Sequence, residues 1–142
     1  MEKPKTIVVD IDGTISTSGG RRDMFDLSKV IHDDPINSVI EVVQALEDCL
    51  YTIVYLTARG EEARFQTRTW LDLYAGGHRK RKLLMRKKGD DRDDVTIKSE
   101  IYFEKIEPHY DVKMAFDDNT EVIAWWKSIG VKTFQVDDSV VS

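Results

Sequence analysis

Apolar residues in this chain fall into short runs separated by longer stretches of helical period. Ile7-Val8-Val9, Tyr51 to Leu56, Leu83-Leu84-Met85, Val112 to Phe116 and Lys132 to Val136 read as strands, the first apolar at consecutive positions and therefore buried on both faces. The intervening stretches read as helices. The first starts at Asp34-Pro35, with the acid as cap and proline at the first helical position, and carries Val39, Val42, Val43 and Leu46 on one face. A second runs from Glu61 to Tyr74, opens on acids and stops at Gly76-Gly77. The third spans about Asp94 to Glu107, with Ile97, Ile101 and Ile106 inward and Pro108 just beyond its end. The fourth, about Asn119 to Ser128, turns Val122, Ile123, Trp126 and Ile129 inward and ends at Gly130.

Strands alternating with helices imply one Rossmann-like α/β domain over residues 1–142: a parallel five-stranded sheet with helices on both faces and no large cap domain. After the first strand, ISTSGGRRDMFDL is rich in Ser, Thr and Gly and long for a simple turn, which marks a flap over that strand's end. The polar clusters share one edge. Asp10 and Asp12 follow the first strand, Thr57-Ala58-Arg59-Gly60 the second, and Asp117-Asp118 the fourth. That is the carboxyl edge, where open α/β sheets place their ligands. Neither GxxxxGK[ST] nor GxGxxG occurs, so P-loop kinase and dinucleotide-binding readings have no support.

Composition narrows the class further. With 142 residues, 41% apolar and 33% charged, the chain matches a soluble globular protein, and no run approaches the ~20 apolar residues of a membrane span. Met1-Glu2-Lys3-Pro4 leads into the first strand without a signal-peptide apolar region, so a cytoplasmic location is expected. Cys49 is alone, which excludes an intrachain disulfide, and its place near the end of an apolar helical stretch predicts core filling. A net charge of −5 argues against a general nucleic-acid coat. Positive charge nevertheless concentrates in residues 78–88, HRKRKLLMRKK, while carboxylates gather at 10–12, 33–34, 90–94 and 117–118. A basic rim beside an acidic pocket suits a polyanionic substrate held near a metal ion; a solvated loop leading into a strand explains the basic run equally well.

If Asp10, Asp12, Thr57, Lys98, Asp117 and Asp118 converge, four carboxylates repel one another and raise each other's pKa unless positive charge sits among them. Mg²⁺, a hard cation that prefers carboxylate and water oxygens, would resolve this. Lys98 stands near the start of its helix, where the macrodipole disfavours a cation. Asp94, one turn earlier, can pair with it in the acid-first i, i+4 order and aim its ammonium, although an ordinary surface salt bridge has the same spacing. With a phosphoryl group held there, Asp10 can attack phosphorus in line to give an aspartyl-phosphate. Asp12 can then protonate the leaving alkoxide and later deprotonate the hydrolytic water. Thr57 can hydrogen-bond a phosphoryl oxygen, or serve only as a strand-end turn residue.

These residues resemble the four motifs of the haloacid dehalogenase superfamily of phosphotransferases: DIDGT, Thr57, Lys98 and Asp117-Asp118, in order. The resemblance implies the Asp10 nucleophile and the Asp12 acid/base. It also implies Mg²⁺ held by Asp10, the backbone carbonyl of Asp12 and the acids Asp118 or Asp117. More closely, KPKTIVVDIDGT, FDL, INSVIEVV, RDDVTIKSEIYFEKIEPHYDVKMAFDDNT and WWKSIGVKTFQV resemble the 3′-phosphatase domains of T-even phage polynucleotide kinase/phosphatases over nearly the whole chain. That likeness implies an essential arginine after the second motif, matched by Arg59, and an acid orienting the lysine, matched by Asp94. It implies a flap arginine as well, which falls on Arg22 or, with a one-residue shift, on Arg21. Between Arg59 and Trp70 this chain is shorter than that family, and the kinase half is absent.

The leading expectation is therefore a Mg²⁺-dependent phosphatase that removes 3′-phosphate from DNA or RNA ends and opens 2′,3′-cyclic phosphates. The basic run and the pair Arg64 and Arg68, with Thr57, Ala58 and Arg59, are its substrate-binding candidates, and a separate kinase or ligase its candidate partner. A nucleotidase or small-metabolite phosphatase keeps the chemistry and changes the substrate. A non-catalytic module that binds nucleic-acid ends or a protein is the reading from another class, and the intact Asp10, Asp12, Lys98 and Asp117-Asp118 count against it. Trp125 and Trp126 are assigned to the helix rather than to substrate.

Overall fold

The computed structural model describes residues 2–23, 25–76 and 81–137. Its main sheet is built from β1 (Lys5–Val9), β4 (Thr52–Gly60), β5 (Lys82–Arg86), β6 (Asp111–Asp117) and β7 (Lys132–Gln135), all parallel and ordered β5-β4-β1-β6-β7. A two-stranded ribbon, β2 (Ser16–Thr17) with β3 (Asp34–Pro35), closes the base of the flap. The expected five-stranded parallel architecture is present.

Alternation along the strands divides the core into two layers. Ile7, Val9, Ile53, Tyr55, Leu83 and Met85 face one side, where α1 (Asn37–Asp48) and α2 (Arg64–Tyr74) contribute Ile40, Val43, Trp70 and Leu71. Val8, Val54, Leu56, Leu84 and Ala115 face the other, covered by Val122 and Trp126 of α4 (Thr120–Ser128) and by Ile106, which follows α3 (Asp94–Ile101). A strand buried on both faces has no solvent side to mark, which is why β1 reads as an unbroken apolar run.

Several expectations are corrected. The first helix begins at Asn37, because residues 34–36 are taken into the ribbon: Asp34 and Pro35 pair with Thr17 and Ser16, and the Ile36 N–H donates to the Ile15 carbonyl (2.7 Å). Its inward face holds Ile40 rather than Val42, which is 48% exposed, while Val39 and Leu46 pack at the margin. Strand β4 runs on through Thr57-Ala58-Arg59-Gly60, and a 3-10 turn, Glu61–Ala63, precedes α2. The third helix is α-helical only to Ile101 and widens into a π-helical turn, Tyr102–Ile106, that sets Tyr102 edge-on against Trp125 and Trp126. Cys49 is exposed at the end of α1, not in the core. Gly77 and positions 78–80 of the basic run lie outside the described residues.

Candidate active site

The end of β1 delivers Asp10 to the carboxyl edge, and its N–H still pairs with the Phe116 carbonyl of β6 (2.9 Å). Both carboxylate oxygens are engaged. The Lys98 ammonium donates to Oδ1 (2.9 Å), and the Thr14 hydroxyl donates to Oδ2 (3.0 Å). Lys98 also donates to Oδ2 of Asp117 (2.7 Å), whose Oδ1 accepts from the Asn119 N–H (3.0 Å). Asn119 then caps α4 through its side chain, so the turn after β6 is fixed at both ends.

Asp10, Asp117 and Asp118 bring carboxylate oxygens within 4.8 Å of one another. Gly13, at φ +79°, lets the turn pass against them; a Cβ there would collide with the Asp118 carboxylate. Burial, with Asp10 and Asp117 alongside, pushes the Asp118 carboxyl up to about 9. Burial and Asp10 also raise Asp117, to about 6, against the pull of Lys98. Burial draws the Lys98 ammonium down, but Asp10 and Asp117 outweigh it and hold its pKa above the usual lysine range. Three clustered carboxylates beside one ammonium leave surplus negative charge, and an all-oxygen donor set of this kind suits Mg²⁺.

Asp12, two residues on, belongs to a second network. Arg59 grips it with a fork, Nε to Oδ2 (2.9 Å) and Nη2 to Oδ1 (2.8 Å). Arg22 reaches Oδ1 from the flap (3.3 Å). Crowding by the protein raises the Asp12 pKa, but the Arg59 hydrogen bonds, with the charges of Arg59 and Arg22, outweigh it and hold the carboxyl below its ordinary range. Behind both arginines lies Asp33, 3% exposed, which accepts a bidentate fork from Arg22 (2.9 and 2.8 Å) and a further bond from Arg59 Nη2 (3.2 Å). Trp70 donates its indole N–H to the Asp33 carbonyl (2.8 Å), and Thr67 accepts from Arg59 Nη1 (3.1 Å). Asp33 and Thr14 were missed by the sequence reading. Two arginines aimed at one carboxylate require a further acid, and the pair 33–34 was the available signal.

The remaining candidates are placed as follows. Thr57 is buried in β4, and its Oγ1 accepts from the Arg59 N–H (3.1 Å), a strand-end bond that leaves its hydroxyl proton to donate. The Ala58 carbonyl accepts from Arg86 Nε (2.8 Å). Arg21 turns away from the cleft to Asp34 (2.9 Å) and the His32 carbonyl (3.3 Å), so Arg22 is the flap arginine that meets Asp12. Asp94 binds Arg86 (3.0 Å) rather than Lys98; the lysine is drawn instead onto Asp10 and Asp117, and it is 3% exposed, so the surface salt-bridge alternative is excluded. Arg86 also donates to the carbonyls of Asp90 and Arg92, which organises the loop before α3. Arg64 and Arg68 stand at the outer edge of the sheet, their guanidiniums donating to the Leu83 (3.0 Å) and Arg81 (3.1 Å) carbonyls.

A parallel α/β sheet with this acid cluster at its carboxyl edge is the architecture of haloacid dehalogenase-type phosphatases. The fold overlays on the class C acid phosphatase from Bacillus anthracis with a TM-score of 0.70 over 97% of this chain and 68% of that one, at 16% identity. Residues 4–140 match the family model for the phosphatase domain of polynucleotide kinase PNKP, and the chain belongs to that family. It is similar to a chain of the Pnkp1/Rnl/Hen1 complex, with a TM-score of 0.87 and 31% identity over 96% of this chain and 47% of that one. It also matches a protein of Autographa californica nuclear polyhedrosis virus provisionally named bifunctional polynucleotide kinase/RNA ligase, 28% identical over 132 residues, 92% of this chain and 19% of that protein. The chain thus spans under half of the first and about a fifth of the second. No helix among the described residues is long and apolar enough to cross a membrane.

Proposed function

We propose that the protein is a Mg²⁺-dependent phosphatase that removes 3′-phosphate from DNA or RNA ends, opens 2′,3′-cyclic phosphates, and works in the cytoplasm beside a separate kinase or ligase. The observation that carries the reading is the pairing of a carboxylate cluster around Asp10 with an arginine-held carboxylate at Asp12.

Asp10 is the nucleophile. Its Oδ1 is held by Lys98 and its Oδ2 by Thr14, so the side chain is kept in one orientation for in-line attack on phosphorus. Attack forms the Asp10 Oδ–P bond as the bond to the 3′ oxygen breaks. Asp12 gives that alkoxide a proton, then takes one from the water that cleaves the aspartyl-phosphate and regenerates Asp10. Arg59 and Arg22 favour the ionised form of Asp12, which suits the base half-reaction; the proton it takes from the water there is the one it gives to the next leaving alkoxide, and the two guanidiniums act by holding Asp12 in place from their forks to Asp12 and Asp33. Thr57 donates to another such oxygen. Asp10, Asp117, Asp118 and the Asp12 carbonyl are the groups that would hold Mg²⁺, which supplies charge neutralisation for the phosphoryl group when bound. Asp94 orders the lysine's helix through Arg86 rather than by direct contact.

The test is phosphate release from oligonucleotides bearing a 3′- or a 5′-phosphate, with Mg²⁺ and with chelator. Metal-dependent release from the 3′ end alone is expected. Release from neither, with turnover of a small aryl phosphate, would move the substrate to nucleotides or metabolites.

A further inference from the structure

A groove of about 470 Å³ wraps over the free edge of β5, lined by Arg64, Lys82, Leu83, Leu84, Lys105, His109 and Tyr110. Arg64 enters from the α2 side, while Lys105, His109 and Tyr110 come from the segment that follows α3 on the opposite face. Among the described residues no carboxylate lines it, although Glu61, forked to Arg64, lies near enough to feel the charge of Lys105. In a chain of net charge −5 that is unusual company for two lysines, and among the described residues neither Lys82 nor Lys105 forms a salt bridge. Every cation in the catalytic cleft, by contrast, is matched to an acid: Lys98 to Asp10 and Asp117, Arg59 to Asp12, Arg22 to Asp33.

The edge is also closed to an added protein strand. Arg68 and Arg64 already occupy the Arg81 and Leu83 carbonyls, the acceptors a docking strand would need, and Arg64 is anchored by a fork to Glu61 (2.8 Å to each oxygen). What remains open is cationic side-chain surface with a tyrosine hydroxyl and an imidazole. We propose that this groove is a second phosphate subsite that holds the backbone of a single-stranded polynucleotide upstream of its terminal phosphate; the proposal rests on the polynucleotide reading above. The placement fits. Met85 pairs with Thr57 at the catalytic edge, and Lys82 lies three residues back along β5, about 10 Å away at ~3.3 Å per residue. Two parallel-strand spacings separate β5 from β1, another ~10 Å. A strand whose end sits at Asp10 must pass β4 and β5 to leave on this side, and the groove is where it meets two lysines that no salt bridge holds among the described residues.

The test compares wild type with the double variant Lys82→Ala/Lys105→Ala, both exposed positions, on three substrates over a salt series: a 3′-phosphorylated oligonucleotide of roughly twelve nucleotides, a nucleoside 3′-phosphate and an aryl phosphate. Losing two phosphate contacts should raise the oligonucleotide KM roughly 10–30-fold near 0.1 M salt and flatten its log–log salt slope by about 1.4. The kcat on all three substrates and the KM of both small ones should not move. An unchanged oligonucleotide KM and slope, with wild type still active on that substrate, would overturn the subsite and leave the groove to an acidic protein surface. Wild type active on the small substrates and inactive on the oligonucleotide would overturn the polynucleotide reading itself, and the subsite with it.

Discussion

On the β6 side of the cleft three acids cluster, and one ammonium pairs with two of them, Asp10 and Asp117; on the flap side two carboxylates, Asp12 and Asp33, share two guanidiniums. The first group is short of positive charge, and two of its acids, Asp117 and Asp118, are pushed upward, Asp118 the more. The second is balanced, and Asp12 is drawn downward. Two acids only two residues apart in sequence thus sit in opposite electrostatic surroundings. The difference separates two roles: the charge-poor half has the acids that could hold a cation beside Asp10, and the balanced half holds a carboxylate and two guanidiniums in fixed register.

The sharpest break of this comparison is at Asp10. Asp10→Asn should lower kcat on an aryl phosphate by about three orders of magnitude or more while far-ultraviolet circular dichroism stays unchanged, because the amide fills the same space but cannot act as nucleophile. Retained activity would remove Asp10 from that role.

Next in size is Asp33→Ala. It leaves Arg22 and Arg59, both nearly buried, without their shared acid, and breaking a buried pair costs about 3–5 kcal/mol. Urea unfolding should show a loss of that order, with activity falling on the order of a hundredfold as Asp12 loses its fixed partners. A loss of stability with full activity would separate the clamp from catalysis.

A third prediction concerns pH. Without metal, folded Asp117 and Asp118 keep protons that the unfolded chain has released, so their contribution makes stability fall as pH rises from the ordinary carboxylate range towards about 9. Bound Mg²⁺ relieves that repulsion. The gain in Tm on adding Mg²⁺ should therefore be larger near pH 8 than near pH 6. The reverse order would mean that those acids are not the metal's ligands.

The smallest effect is expected at Arg21→Ala. Its pair with Asp34 is exposed on both sides, so unfolding should shift by about 0.5 kcal/mol or less and kcat by less than about twofold. Arg22→Ala, which loses Asp12 and Asp33 together, should lower kcat far more.

What could be read in advance follows from how local each signal is. DIDGT, Lys98 and Asp117-Asp118 were legible because strand-end acids and a lysine early in a helix are short patterns whose positions the β–α alternation fixes. Asp33 was not, since its partners Arg22 and Arg59 lie 11 and 26 residues away and only the folded flap joins them. The Asp94–Lys98 spacing was read correctly as helical, yet two deeper carboxylates competed for the lysine and Arg86 took the acid. Arg64 and Arg68 looked like phosphate ligands because periodicity places them on one helix face, but nothing local says that this face meets the carbonyls of an edge strand. The helix start at Asp34 failed because the ribbon claimed residues 34–36, and Val42 failed because the buried stripe runs through Ile40, Val43 and Glu47, rotated from the one the valines suggest.

The central claim is that the charge-poor half of the cleft binds Mg²⁺ independently of the arginine half. The measurement that tests it most directly is thermal unfolding near pH 8, with and without Mg²⁺, of wild type, Asp118→Asn and Arg59→Lys. Mg²⁺ should raise the Tm of wild type and of Arg59→Lys and leave Asp118→Asn unmoved. A wild-type Tm indifferent to Mg²⁺, or an Asp118→Asn variant stabilised as much as wild type, would contradict it.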